Sequence, residues 1–155
     1  MSIIENRIQK LGYVIPDCPA PVGAYVPAVE VEGGLLYVSG QTAIVDGKQK
    51  YVGTVGKDVT PQEAYDAARI CAIRLLSEVK YAIGDLDRIE KIVKVNGYVN
   101  AIHGFEQHPK VINGASDFLE LIFQEKGKHA RVAIGVASLP DNASVEVEMV
   151  VLYKK

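Results

Sequence analysis

The chain has 155 residues, 48% hydrophobic and 23% charged, with a formal net charge of −2, which describes one globular domain, expected to span residues 1–155. Its 17 Lys and Arg residues are scattered and not gathered into a stripe, so a nucleic-acid partner is not expected, and no apolar run approaches the ~20 residues of a membrane span. The amino-terminal segment, interrupted by Glu5, Arg7 and Lys10, does not read as a signal peptide, and Cys18 and Cys71 are far apart with no Cys-x-x-Cys, so a cytoplasmic protein with reduced thiols and no membrane partner is expected.

In chain order, Ser2 followed by Glu5 is a capping-box pattern, with Ile4, Ile8 and Leu11 on one helical face and Gly12 placed to end the turn. A short helix is predicted within an extension of residues 1–15. From Pro16 to Pro27 four prolines and Gly23 forbid regular structure, so residues 16–27, with Tyr25 among them, should form an extended arm. Two hairpins follow: Ala28–Glu32 and Leu35–Ser39 around Gly33-Gly34, then Thr42–Val45 and Gln49–Val52 around Asp46-Gly47. Thr60-Pro61-Gln62-Glu63 combines an N-cap, a first-turn proline and a capping glutamate, and Ala64, Ala68, Cys71, Leu75 and Val79 continue one stripe to Gly84. Ile89–Asn100 reads as a strand, with Gly97 a bulge or a point of close approach. Pro109–Glu125 reads as a second long helix, and Arg131–Ala137 and Ser144–Tyr153 as the final strands. The order implies an α+β fold, a sheet with two long helices packed on one face.

Alternation in the last two strands sorts their side chains. Val132, Ile134 and Val136, and likewise Val145, Val147, Met149 and Val151, are expected to meet the helices. Arg131, Ala133, Gly135 and Ala137, with Ser144, Glu146, Glu148, Val150 and Leu152, are expected on the opposite face. That face is small, mixed and partly apolar, which points to identical subunits packing there with Arg131 and Glu146 near the seam. Facing protein, Arg131 needs acceptors for its five donors, supplied either by a structural salt bridge or by a ligand. If the two strands form a plain hairpin, Glu146 lies about 15 Å along the strand from Arg131, with room for a small ligand and a water between them.

These residues fall into a recognisable set. Gly23-Ala24-Tyr25, Val38-Ser39-Gly40-Gln41, Ala130-Arg131, Leu139-Pro140 and Val145-Glu146-Val147-Glu148 occur in an order that resembles the Rid (YjgF-type) family of reactive intermediate deaminases. Gly97-Tyr98-Val99-Asn100, the segment His108–Ser116 and Lys128-His129-Ala130-Arg131 resemble its longer branch, labelled a chorismate-mutase-like endoribonuclease. The resemblance implies a mixed sheet in a chorismate-mutase-like fold and a homotrimer with sheets packed inward. It further implies hydrolysis of 2-imino or enamino acids to 2-keto acids and ammonia in the subunit clefts, without cofactor or metal. Carried over by position, Arg131 holds the substrate carboxylate and Glu146 orients or deprotonates the attacking water. Tyr25, Ser39, Tyr98 and Asn113 line the cleft, and Ala133, where deaminases commonly carry Cys, offers its backbone N–H. His129 replaces a usual Pro. The alternatives are a non-catalytic trimer that binds small carboxylic acids such as keto acids and, against the acidic balance of charge, a ribonuclease.

Other signals are weaker. Tyr25 could equally staple the arm to the core, and Tyr98 and Asn113 could be ordinary sheet and helix-surface residues. His103, His108 and His129 lack metal-ligand spacing, and Ser39 has no Gly-x-Ser-x-Gly around it, so neither a metal site nor a serine hydrolase is expected.

Overall fold

The computed structural model describes residues 2–21 and 23–155, so Met1 of the expected extension and Val22 of the expected arm lie outside the described residues. Helix α1 (Ile3–Lys10) starts at Ser2, whose hydroxyl accepts from Glu5 N, and it buries Ile8. Its first two free N–H groups donate at 2.8 Å to the Asp87 carboxylate, which ties the helix to the loop after the next long helix. Residues 13–21 and 23–26 then run without regular structure to strand β1 (Ala28–Val31), because the prolines remove both helical φ/ψ freedom and ladder donors.

Strands β2 (Leu35–Thr42), β5 (Ile89–Asn100), β6 (Ala130–Val136) and β7 (Val145–Tyr153) join β1 in one sheet of order β1-β2-β7-β5-β6. A small hairpin, β3 (Ile44–Val45) and β4 (Lys48–Gln49), stands apart from it. Every pairing in the large sheet is antiparallel except β5 with β6. The sheet is therefore mixed, and the plain hairpin between the last two strands does not form: β5 lies between β6 and β7. The link from β6 to β7 crosses the end of β5, where the buried Asn100 pins it by donating from Nδ2 to Ala143 O at 3.1 Å. A buried side-chain amide held this way satisfies backbone that no strand can reach.

Helices α2 (Pro61–Ile83) and α3 (His108–Phe123) cover one face. The capping box at Thr60 and Glu63 is complete, and the whole Ala64-to-Val79 stripe is solvent-free, Cys71 included. Gly114 of α3 sits where a Cβ would overlap the backbone carbonyl of Tyr65, so the two helices touch there through bare backbone. Gly97 is a point of close approach and not a bulge: a Cβ there would run into Ile112 of α3, while its pairing with Val147 and Ala133 is regular.

The face assignment holds for β7, where Val145, Val147, Met149 and Val151 are buried under the helices. It is reversed for β6. Arg131, Ala133 and Gly135 pair with Val95, Gly97 and Val99, which face the helices. Val132 and Ile134 stand on the open face, 41% and 45% exposed. The parallel register on β5 sets this alternation, and the His108 side chain at the start of α3 lies over Gly135, where a Cβ would overlap its ring. The open face is therefore even more apolar than expected, since Tyr37, Val29 and Val31 join Val132 and Ile134 on exposed sheet positions.

Candidate functional site

Arg131 enters from the second position of β6 and reaches across to α3. Its Nη1 donates both hydrogens, to Asn113 Oδ1 at 2.8 Å and to Ser116 Oγ at 3.1 Å, and Nη2 donates to Pro109 O at 3.3 Å. Asn113 and Ser116 are three residues apart, so α3 presents them on one side. No carboxylate pairs with this guanidinium among the described residues. Of five donors, Nε–H and one hydrogen of Nη2 have no protein partner among the described residues. Those two nitrogens share one edge of the guanidinium, the edge that a carboxylate can take with two parallel charge-assisted hydrogen bonds. Ala133, two positions along the same strand and half-buried, lies on the same side of the sheet.

Beneath Arg131 lies a chain of polar groups that the sequence alone did not single out as a unit. Ser116 Oγ is 2.9 Å from His129 Nε2, and His129 Nδ1 is 2.6 Å from the Gly127 carbonyl. Burial, reinforced by the positive charge of Arg131, holds the His129 pKa below its ordinary value despite the opposing pull of the Gly127 hydrogen bond. The signal was the i, i+3 spacing of Asn113 and Ser116 together with His129 two residues before Arg131, but neither predicts contact until α3 is laid on β6.

Glu146 is elsewhere. It stands on the open face of β7, opposite Tyr98 on β5 and Thr42 on β2. A register shift in β2 between Val38 and Gln41 bulges out Ser39 and Gly40, and a Cβ on Gly40 would overlap the Glu146 carboxylate. The absence of a side chain at Gly40 is thus what makes room for that carboxylate. Burial first, and then the neighbouring Glu148, raise the Glu146 pKa, which makes it a better proton acceptor than an exposed glutamate.

Ser39 fastens the arm: its hydroxyl donates to Val26 O at 2.7 Å and its N–H to Pro27 O at 2.9 Å. Tyr25, half-exposed, immediately precedes the anchored Val26. Tyr98 donates to Glu148 Oε1 at 2.6 Å, and Asn96 Nδ2 to the same oxygen at 3.1 Å. The hydrogen bond to Glu148, with burial, pushes the Tyr98 pKa up to about 12, so its phenol stays protonated at neutral pH.

The residues named from sequence thus fall into two groups within one copy. Arg131, Asn113 and Ala133 lie on the helix side of an edge strand; Glu146, Ser39, Tyr98 and the arm with Tyr25 lie on or beside the open face. The expectation that Arg131 and Glu146 share a face is corrected by the reversed alternation of β6.

The family model described as "YjgF/chorismate_mutase-like, putative endoribonuclease" matches residues 5–153. The chain belongs to this YjgF-type family. Protein TCP17 of Trypanosoma cruzi is 42% identical, covering 97% of this chain and 98% of its own length. A 2-iminobutanoate/2-iminopropanoate deaminase of Dermatophagoides farinae is 31% identical over 90% of this chain and 93% of its own. Among solved structures, Atu1372 of Agrobacterium tumefaciens is 43% identical with a TM-score of 0.91, covering 97% of this chain and 92% of its own. The mixed sheet with helices on one face is thus the YjgF/chorismate-mutase-like fold, in a family that includes at least one named deaminase.

Proposed function

We propose that this chain hydrolyses 2-imino or enamino acids to 2-keto acids and ammonia, at sites formed where copies of a homotrimer meet. The observation that carries the reading is the Arg131 guanidinium, which keeps two of its five donors free and has no carboxylate partner among the described residues. A guanidinium held by three acceptors of helix α3 is fixed in place yet still able to grip an acid. The relationship to a named 2-iminobutanoate/2-iminopropanoate deaminase supports the substrate class.

In one copy Arg131 and Glu146 lie on opposite sides of the sheet. The open face that carries Glu146 also exposes Tyr37, Val132 and Ile134, and an apolar sheet face of this kind calls for a covering surface. A second copy that covers it can bring the β6 edge of one subunit to the Ser39–Gly40 bulge of the next. Arg131 of one copy then holds the substrate carboxylate while Glu146 of the other serves the imine carbon. Water attacks the carbon of the protonated imine as Glu146 takes its proton, giving a neutral carbinolamine. Glu146 returns that proton to the nitrogen, and ammonia leaves as the carbinolamine hydroxyl gives its proton back to Glu146 and the C=O forms. The imine carbon is already electrophilic, so general base catalysis of ~10²–10⁴-fold and correct placement are the main demands on the protein.

The test couples an amino-acid oxidase, which releases imines from a panel of amino acids, to detection of ammonia with and without this chain. Arg131→Ala and Glu146→Gln should each abolish the acceleration while the chain stays folded. Mixing the two inactive variants after dissociation and reassembly should restore about a quarter of the activity, because one site in four draws an intact residue from each copy. Acceleration by Arg131→Ala equal to that of the unmodified chain overturns the reading. Tight 2-oxobutanoate binding with no effect on any imine would assign a carrier role instead.

A further inference from the structure

The contacts beneath Arg131 admit one consistent direction for every hydrogen. The Gly127 carbonyl can only accept, so the proton of a neutral His129 must sit on Nδ1. Nε2 then carries the lone pair and accepts the Ser116 hydroxyl. With its hydrogen committed to His129, Ser116 Oγ turns its lone pairs toward Arg131 Nη1. Gly127 is itself locked, since a Cβ there would overlap the backbone of α3 at Leu119 and Glu120. The carbonyl that sets the tautomer is thus fixed to the same helix that supplies Ser116 and Asn113.

We propose that His129 is a positioning residue for Arg131, acting through the Ser116 hydroxyl to keep the Nε/Nη2 edge of the guanidinium turned toward an incoming carboxylate. The inference rests on reading Arg131 as the carboxylate holder. Without the His129 acceptor, the Ser116 hydrogen is free to turn toward the Arg131 donor, which then loses one of its three anchors and samples other rotamers. The charged groups around the imidazole come from three elements: Arg131 on β6, Glu120 on α3 and Lys91 on β5. None of them is an alternative acceptor for the Ser116 hydroxyl in the hydrogen bonds it makes.

The experiment uses the full chain, with 2-oxobutanoate as the binding probe in calorimetry and the coupled imine assay for turnover. His129→Phe keeps the ring volume without an acceptor, and Ser116→Ala removes the link. Each should weaken 2-oxobutanoate binding and raise KM about tenfold, the size of one lost positioning hydrogen bond, with kcat changed less than about threefold. His129→Gln, whose amide oxygen can take the place of Nε2, should recover most of the affinity; a purely structural role predicts no such rescue. Nitrogen NMR of the unmodified chain at pH 7 should show His129 as the Nδ1–H tautomer. An Nε2–H tautomer overturns the inference, as does wild-type affinity in Ser116→Ala. If Arg131→Ala abolishes binding while both variants bind normally, the inference fails and the proposed function stands. If Arg131→Ala itself binds 2-oxobutanoate normally, the proposed function fails first.

Discussion

Glu78→Gln separates the role of a buried carboxyl from that of the rest of the core. Glu78 projects from α2 beneath β2 and is 2% exposed. Its Oε1 accepts from Gln41 Nε2 at 2.7 Å, Gln41 Oε1 accepts from Arg74 Nε at 2.9 Å, and Glu78 Oε2 has no hydrogen-bond partner among the described residues. Burial pushes its pKa from 4.5 up to about 8, against the opposing effects of Gln41 and Arg74. Unfolding returns the carboxyl to its ordinary value. Between those two values the native chain holds a proton that the unfolded chain has released, so stability is present at low pH and lost as pH rises toward 8. The slope from this group alone is about 1.4 kcal/mol per pH unit at most, or about 2–3 kcal/mol between pH 5.5 and 7.5. Glutamine keeps the shape and the acceptor for Gln41 but cannot ionise, so Glu78→Gln should gain that amount on the unmodified chain over the same interval. Urea unfolding of both proteins at pH 5.5, 6.5 and 7.5, at one protein concentration, measures the difference. A stability difference that stays constant across the three pH values would refute the reasoning.

Two further substitutions probe the close approaches on either side of the sheet. Gly40→Ala puts a methyl group where the Glu146 carboxylate lies; because the displaced atoms are the end of a flexible side chain, the melting temperature should barely change while imine turnover falls at least tenfold. Wild-type turnover in that variant would dissociate the bulge from the Glu146 role. Gly114→Ala drives a methyl into the Tyr65 backbone carbonyl, which cannot yield without moving α2 from α3. A loss of about 1–3 kcal/mol or more in denaturant unfolding is expected, and an unchanged midpoint would mean that the helices can part at no cost.

The elements whose signals are local agree closely with the structure. Thr60, Pro61 and Glu63 start a helix because capping is settled within four residues, and the Ala64-to-Val79 stripe is buried because a helix with one apolar side has only one way to hide it. The prolines of the arm, the strand over Ile89–Asn100 and the second long helix, which ends at Phe123 and not at the expected Glu125, follow from the same short-range chemistry. Recognition of the family rests on motifs of this kind, each readable without knowing what it touches.

Alternation along β6 is also local, and it correctly separates Arg131, Ala133 and Gly135 from Val132 and Ile134; which set faces the helices is not. Large apolar residues ordinarily mark the covered side, but here the parallel register on β5 turns Ala133 and Gly135 toward the helices and leaves Val132 and Ile134 on the open face. The Ser116–His129–Arg131 chain and the Glu146 carboxylate over Gly40 depend in the same way on distances between segments remote in sequence. Capping, φ/ψ limits and periodicity act within a few residues, so the start of α2 and the alternation along the strands are legible in the chain, whereas the hairpin expected over Thr42–Val45 and Gln49–Val52 forms only over Ile44–Val45 and Lys48–Gln49. That Arg131 and Glu146 occupy opposite sides of the sheet is a long-range outcome, set by the parallel register of β6 on β5 and the antiparallel register of β7 on β5, which no local pattern encodes.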